Sequence, residues 1–410
     1  MPHDAQFPGE GRGPALNAPK AGLRPTGPPQ STTLRGAPSP ANNELAVSSH
    51  QRVNLAALTG ARGLAAWFVV LYHIRPGLSA TASPALMTGL SKGYLAVDFF
   101  FMLSGFVLWL TYGERLRAEG LREVPRFLGR RIARIWPLHI VILGVAAALA
   151  LTFDLTGRHS GHYPWGQLPL HVLLVQNWGF TDALSWNDPA WSISCEWAAY
   201  LLFPLLALGA NWRRASSTTL ILTIVILTLL LHTLMSRGGA ATLGVDIPRF
   251  GLPRALVEFT MGTLVCTLWQ RWRTRPAMPT SAAIVAAVLL ALTVTKNLPE
   301  TFALPLFFAA LLLALSLTAA HPANPLASRA LVYLGEISYA TYLVHFVGYV
   351  VFKLLFVADP FAVPLPALAA FLALTLIASA ALHRWVELPA QTALRRLFES
   401  PKERSPAPAL

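Results

Sequence analysis

A basic side chain and a titratable one, Arg62 and His73, lie eleven residues apart within an apolar stretch. Eleven helical residues return to within about 20° of the starting direction and rise about 16 Å, so both side chains share one helix face. Arginine matches phosphate oxygens through its forked donors, and a neutral imidazole can take a proton from a hydroxyl near neutral pH. The structural alternative is that Arg62 snorkels to the membrane surface and that His73 is a hydrogen-bonded packing residue.

Two carboxylates fall within apolar segments, where an unpaired charge is costly. Asp98 lies in the stretch 94–106, and we predict that it orients His73. Ser192, Glu196 and Tyr200 follow one another at intervals of four, so they share one face of a helix. Glu196 is the second candidate for the carboxylate that supports His73, and Ser192 and Tyr200 are candidate substrate-binding residues.

Two further clusters carry polar chemistry. Arg131 and Arg134 are three residues apart and therefore neighbours on a helix, where they suit an anionic ligand. The stretch 335–345 supplies the substrate-binding candidates Tyr339, Tyr342 and His345.

Three other features of the apolar segments suggest a structural role. We expect Gly105 to allow close helix packing. Arg254 and Glu258, four residues apart, are predicted to pair with each other. The stretch 385–389 is interpreted as a helix end with a proline stop.

The elements that must position these residues are membrane helices. The chain is 54% hydrophobic and 12% charged, far from the roughly 25% charge of a soluble domain. Apolar runs of about 20 residues predict an all-α polytopic membrane protein of about ten spans: 55–75, 94–111, 136–153, 191–208, 220–235, 252–269, 282–295, 302–318, 331–357 and 365–382.

Basic residues predict the orientation of these spans. The stretch 114–134 has seven arginines and three acidic residues, which places it in the cytoplasm. With ten crossings, both termini and the later basic clusters also fall on the cytoplasmic side. The apolar stretch 168–180 is too short for a crossing, so we predict a re-entrant or interfacial segment.

The expected domain organisation is a disordered cytoplasmic tail at 1–54, a membrane domain at 55–389 and a short cytoplasmic tail at 390–410. The first fifty residues are rich in proline and glycine and poor in large apolar side chains. The net charge of +13 lies in short clusters between apolar runs, which disfavours nucleic acid as a partner. The two cysteines have no metal-ligand spacing, and no metal is expected.

Together these motifs resemble the integral membrane acyltransferase family 3. The resemblance rests on Arg62 with ten residues before His73, the stretch 98–106, the pair Arg131 and Arg134, the stretch 191–196 and the stretch 335–345. It implies about ten spans in a bacterial inner membrane and transfer of an acyl group, usually acetyl, from cytosolic acyl-CoA.

The resemblance further implies an acceptor hydroxyl on a carbohydrate or a related molecule, such as a cell-surface polysaccharide or a lipid-linked glycan. His73 would be the essential imidazole, acting as general base or as transient acyl carrier. Arg62, Arg131 and Arg134 would hold acyl-CoA. Membrane lipid and glycan-assembly proteins are the other expected partners. The alternative function, from the polar residues at several depths, is transport of a polysaccharide precursor.

Overall fold

The computed structural model describes residues 56–398, which form helices and loops without a β-strand. The predicted all-α class is therefore confirmed. The predicted tail at 1–54 and the last residues, 399–410, lie outside the described range. The helices are α1 (Ala56–Ile74), α2 (Pro84–Leu90), α3 (Ala96–Glu119), α4 (Val124–Leu155), α5 (Leu168–Leu173), α6 (Ala190–Gly209), α7 (Ser217–Arg237), α8 (Ile247–Trp272), α9 (Met278–Val294), α10 (Glu300–Thr318), α11 (Arg329–Glu336), α12 (Ser338–Phe356), α13 (Leu365–Leu382) and α14 (Leu388–Phe398).

Eight helical stretches of the described range are long and apolar enough to cross a membrane. Each predicted span coincides with helix, but two of these helices are not among the eight stretches. Helix α9 is shorter than those stretches, and α8 carries Arg254 and Glu258 within its apolar run. The count of ten crossings and the sides of the two termini therefore stay predictions. The eight stretches begin at Ala56, Pro84, Val124, Ala190, Ser217, Glu300, Ser338 and Leu365.

The predicted span 331–357 is divided into two helices, α11 and α12, on either side of Ile337. The first of them packs closely on α1, because a Cβ atom added at Gly335 would lie 1.9 Å from the Thr59 carbonyl oxygen. Only glycine allows this approach. The contact brings the end of α11 within reach of Arg62.

The second close approach joins α3 to α8. A Cβ atom added at Gly105 would lie 1.9 Å from the carbonyl oxygen of Phe259, so the packing role expected for this glycine is confirmed. With their backbones in contact, α3 and α8 bury polar side chains that face each other.

The short apolar segment 168–180 forms only the six-residue helix α5, followed by turns. Six helical residues rise about 9 Å, which is far less than a bilayer. Trp136 of α4 donates to the Val172 carbonyl at 2.9 Å, and the Asn177 side chain donates to the Ile247 carbonyl at 3.2 Å. The segment is thus held against protein, as expected for irregular backbone of this kind.

The interpretation of 385–389 as a helix end is wrong. Helix α13 continues through a π-helical turn, His383–Glu387, directly into α14. Pro389 is the second residue of α14 and therefore lies in a first turn, where proline is tolerated. Residues 390–398 of the expected tail are helical.

Candidate active site

A cavity of about 280 Å³ lies among α1, α3, α4, α6 and α12. It brings together residues that are far apart in sequence and that include most of the predicted binding candidates. Its polar lining includes Arg62, Ser104, Arg131, Arg134, Ser192, Glu196, Tyr200, Ser338, Tyr339 and Tyr342. Polar side chains inside a helical membrane protein that line a cavity are typical of a binding site.

Arginine side chains mark one end of this cavity. Arg62 donates to the Gly335 carbonyl oxygen from Nε at 3.1 Å and from Nη2 at 2.6 Å, at the negative end of α11. Arg134 pairs with Glu387 and lies 5.2 Å from the centre of the Tyr339 ring. Both cations therefore have a fixed protein partner.

Arg131 differs from these two arginines. Its Nη2 lies 3.3 Å from the Tyr112 hydroxyl and its guanidinium 5.8 Å from the centre of the Tyr200 ring. Its Nε is buried without a hydrogen-bond partner, and no carboxylate of residues 56–398 forms an ion pair with it. An unpaired buried donor is costly, so this guanidinium is the one suited to an external anion.

Four other arginines of this predicted cytoplasmic loop have structural partners. Arg115, Arg126 and Arg130 lie 3.2–3.6 Å from the Glu123 carboxylate, whose side chain is fully buried. Arg117 donates to two carbonyl oxygens at the C-terminal end of α6, at 2.9 and 2.6 Å. Charge in this loop is thus mostly balanced by the protein itself.

The polar face of α6 forms one wall of the cavity. Ser104 of α3 donates to Oε1 of Glu196 at 2.7 Å, and the Tyr200 hydroxyl donates to the same oxygen. The predicted stripe does face one space, but Glu196 bonds these hydroxyls and not His73. It is the only carboxylate that lines the cavity among residues 56–398.

The other end of the cavity approaches the histidines through Tyr342. Its hydroxyl lies 2.7 Å from Oγ of Ser192, and its ring centre lies 6.0 Å from that of His345. His345 is buried, and its Nε2 lies 3.1 Å from Nδ1 of His73. The structure therefore brings together Ser192, Tyr342, His345 and His73, in that order.

Hydrogen bonds define the protonation of the two imidazoles. Nδ1 of His73 lies 3.0 Å from the Val69 carbonyl oxygen, and Nδ1 of His345 lies 3.0 Å from the Thr341 carbonyl oxygen. Since a carbonyl oxygen only accepts, each neutral ring carries its proton on Nδ1. The single Nδ1 proton of His73 is then shared between the Val69 carbonyl oxygen and Nε2 of His345, and Nε2 of His73 keeps its lone pair. His73 is half-buried, and this Nε2 has no partner among residues 56–398.

Asp98 lies elsewhere. It receives two hydrogen bonds from Arg254, Nε to Oδ1 at 2.6 Å and Nη2 to Oδ2 at 2.5 Å, and both side chains are almost fully buried. Arg254 also donates to the Leu243 carbonyl at 2.8 Å. The structure thus places Asp98 against Arg254 and not against His73, and Arg254 bonds Asp98 instead of the expected Glu258.

Two polar residues of the site were missed from sequence. Ser104 is a common small residue in an apolar helix, which gives no signal. Glu387 gave a signal, because it is a carboxylate directly after an apolar run. Its carboxylate binds Arg134, His383 at 3.0 Å and Gln391 at 3.0 Å. Within residues 56–398 no group of three or more His, Cys, Asp or Glu side chains is arranged to hold a metal ion.

Comparison with known proteins gives this architecture a family. The acyltransferase domain of acyltransferase family 3 matches residues 55–384. The chain belongs to this family. It is 31% identical over 318 residues to the acyltransferase MdmB of Streptomyces mycarofaciens, covering 72% of this chain and 79% of that protein. The chain is thus a multi-pass membrane acyltransferase.

Two other known proteins are also similar to the chain. Protein 2 in the picA locus of Rhizobium radiobacter is 33% identical over 162 residues, 38% of this chain and 80% of that protein. The peptidoglycan O-acetyltransferase OatA of Listeria monocytogenes is 25% identical over 329 residues, 72% of this chain, and the match covers half of that longer acyltransferase. No solved structure matches the chain.

Proposed function

We propose that this acyltransferase moves an acyl group, most simply acetyl, from cytosolic acyl-CoA to a hydroxyl of a carbohydrate or related acceptor. The observation that carries this proposal is a cavity lined both by the Arg131 guanidinium, which has no ion pair among residues 56–398, and by Tyr342. Beyond the cavity, the Tyr342 ring lies 6.0 Å from that of His345, which in turn contacts His73. An acyl-CoA donor carries its phosphates far from its thioester, so the enzyme needs an anion-binding group and a reactive centre that lie apart. In this proposal Arg131 is the anion-binding group and His73 is the reactive centre.

The donor is proposed to enter from the arginine end. Arg131 binds its phosphates with charge-assisted forked hydrogen bonds, and Arg62 and Arg134 add positive potential from fixed positions. Arg62 and His73 are about 16 Å apart along α1, a distance that the extended pantetheine arm covers. The thin arm also suits a cavity of about 280 Å³.

Chemistry is proposed to occur at Nε2 of His73. As general base, this nitrogen takes the proton of the acceptor hydroxyl; the oxygen attacks the thioester carbonyl, the C–S bond breaks, and the thiolate takes the proton back. As nucleophile, Nε2 itself attacks the thioester carbonyl, and the C–S bond breaks to release the thiolate. The acceptor oxygen then attacks the acyl group, the C–N bond to the imidazole breaks, and the hydroxyl proton passes to the thiolate. His345 holds the ring in the required tautomer in both cases.

The nature of the acceptor and the setting are part of the same proposal. A relative named as a peptidoglycan O-acetyltransferase supports acetyl as the group and a glycan hydroxyl as the acceptor. We place the enzyme in a bacterial inner membrane, with residues 55–389 as the acyltransferase domain between two cytoplasmic tails. Membrane lipid surrounds it, and glycan-assembly proteins supply the acceptor.

The test uses the full chain in membrane vesicles with radiolabelled acetyl-CoA and a set of octyl glycosides as acceptors. We expect labelled glycoside and free CoA from the wild-type protein. His73→Ala is expected to lower the rate about 10²- to 10⁴-fold, the range of general acid–base catalysis. His159→Ala, at an exposed histidine bonded to Asp154, is the control and should keep the wild-type rate.

Two results would contradict the proposal. Wild-type transfer by a folded His73→Ala variant removes the imidazole from the chemistry. Movement of unmodified glycoside across the vesicle membrane, without acyl transfer, favours the transport alternative.

A further inference from the structure

The loop that joins α4 to α6 is fastened to the helix that carries His345. Nδ2 of Asn187 donates to the Leu343 carbonyl oxygen at 3.1 Å. Leu343 is two residues before His345 on α12. Within the loop, the backbone N–H of Trp186 donates to the His162 carbonyl oxygen at 3.0 Å, and the Trp186 side chain is fully buried. These contacts bring the two ends of the loop together beside α12.

The two polar side chains held there are His162 and Asp188. Nε2 of His162 lies 3.3 Å from Oδ1 of Asp188, and the side chains are 32% and 26% exposed. Burial raises the pKa of the Asp188 carboxyl, and the neighbouring His162 opposes that shift. The two side chains are therefore linked and partly exposed, unlike the fully buried ion pair of Asp98 and Arg254, although the facing atoms, Nε2 of His162 and Oδ1 of Asp188, are themselves buried.

Phe346 connects this pair to the proposed reactive centre. Its ring centre lies 5.5 Å from that of His73, edge to face, and 6.1 Å from that of His162. Neither His162 nor Asp188 lines the cavity that contains Arg131. The pair therefore lies outside that cavity, next to a half-buried aromatic ring that also contacts His73.

We propose that His162, Asp188 and Phe346 form the acceptor subsite of this enzyme, and that they take a carbohydrate ring. A sugar ring has an apolar face that packs on an aromatic side chain, and hydroxyls at its edge that bond a carboxylate and an imidazole. In this arrangement one hydroxyl is directed at Nε2 of His73. The inference rests on the proposed function and specifies its acceptor side.

A purely structural role for the pair is less consistent with the contacts. The loop is already fixed by the Asn187 side chain and by the buried Trp186, and these contacts do not involve the side chains of His162 and Asp188. A contact between two side chains that are about one-quarter to one-third exposed contributes little to stability. His162 and Asp188 are thus free to serve a ligand at little cost to the fold.

The experiment separates the two substrates of the full-length protein in vesicles. The acceptor is the octyl glycoside that the wild type modifies fastest, with decanol as a hydroxyl acceptor that has no sugar ring. For Asp188→Asn and for His162→Gln we expect the KM for the glycoside to rise about tenfold or more. The KM for acetyl-CoA and the rate with decanol should stay within twofold. His159→Gln, at a histidine three residues from His162 with a 79% exposed side chain, is the matched control.

The outcomes are distinct. An unchanged glycoside KM in both folded variants, with an active wild type, overturns the acceptor subsite and leaves the proposed function standing. An equal rise in the KM for acetyl-CoA also overturns it, since the effect is then not confined to the acceptor. Wild-type protein that transfers acetyl to none of the glycosides contradicts the proposed function itself. Because two positions are tested, failure of one variant to fold still leaves a decisive measurement.

Discussion

Two clusters of buried charge in this enzyme have opposite arrangements. Between α3 and α8, Asp98 and Arg254 form a forked ion pair whose side chains are 0% and 1% exposed, and the buried Glu258 side chain lies beside them. In the cavity beside α1, α4 and α6, three arginines face one carboxylate, Glu196. In the first cluster the arginine is buried and fully paired with a carboxylate, whereas the second cluster lines a cavity and has excess positive charge.

The difference shows what identifies a site among buried charges. A charge within a membrane helix is costly, and Asp98 and Arg254 meet that cost by pairing with each other. Arg131 has no such partner among the described residues and faces an empty volume. A buried positive charge that lacks a carboxylate partner and lines a cavity therefore indicates where an anionic ligand binds, and burial alone does not.

The largest expected effect comes from removing one partner of the buried ion pair between Asp98 and Arg254. Asp98→Ala leaves Arg254 buried without its carboxylate, which should lower the free energy of unfolding by about 3–5 kcal/mol. We expect a large drop in the thermal unfolding midpoint in detergent and a loss of monodisperse protein. The double variant Asp98→Leu with Arg254→Met removes both charges and should recover most of that stability.

One result would reverse the comparison. If Asp98→Ala unfolds at the wild-type temperature but loses acetyl transfer, then Asp98 belongs to the chemistry, as the sequence first suggested, and the pair with Arg254 is not structural.

The course of the helices and the faces of the polar stripes could be predicted from sequence, because both follow from local hydrophobic periodicity. Ser192, Glu196 and Tyr200 do face one cavity. The pairing of those faces could not be predicted. Asp98 and Arg254 are 156 residues apart and His73 and His345 are 272 apart, and helical spacing within one segment contains no information on which distant helix lies opposite.

Sequence also could not sort the arginines by role. All seven in the stretch 114–134 fit the positive-inside rule equally well. Only the fold shows that three of them pair with Glu123 and that Arg134 pairs with Glu387. Arg131, by contrast, has no carboxylate partner in residues 56–398. The carboxylate that pairs with Arg134, Glu387, lies in the distant π-helical turn His383–Glu387, and nothing in the spacing of the arginines indicates it.

The next effect tests the cluster that lines the cavity. Arg131→Ala should remove the charge-assisted hydrogen bonds to the donor, worth about 1.5–3 kcal/mol, and raise the KM for acetyl-CoA about 10- to 100-fold. Its thermal stability should change little, because Arg131 has no ion pair to lose. Steady-state transfer over a range of acetyl-CoA concentrations measures this.

Arg126→Ala is the matched control for Arg131. Arg126 lies five residues away on the same helix, is 35% exposed and pairs with Glu119 and Glu123 at 3.6 Å. Such exposed pairs contribute about 0–1 kcal/mol, so its KM for acetyl-CoA should stay within twofold of wild type. Equal KM changes in the two variants would mean that net loop charge, and not the cavity, attracts the donor.

The smallest expected effect concerns the one carboxylate of the cluster that lines the cavity. Ser104 donates to Glu196 at 2.7 Å, and Ser104→Ala leaves that carboxylate more available to the cavity arginines, in competition with the donor phosphates. A neutral hydroxyl donor contributes about 0.5–1.5 kcal/mol, so the KM for acetyl-CoA should rise about 2- to 10-fold with kcat unchanged. Thr111→Val on the same helix removes a hydroxyl that bonds only the Val107 carbonyl and should change neither constant. A fall in kcat for Ser104→Ala at constant KM would instead place Glu196 at the reacting atoms, because an effect on donor binding alone cannot lower the rate at saturation.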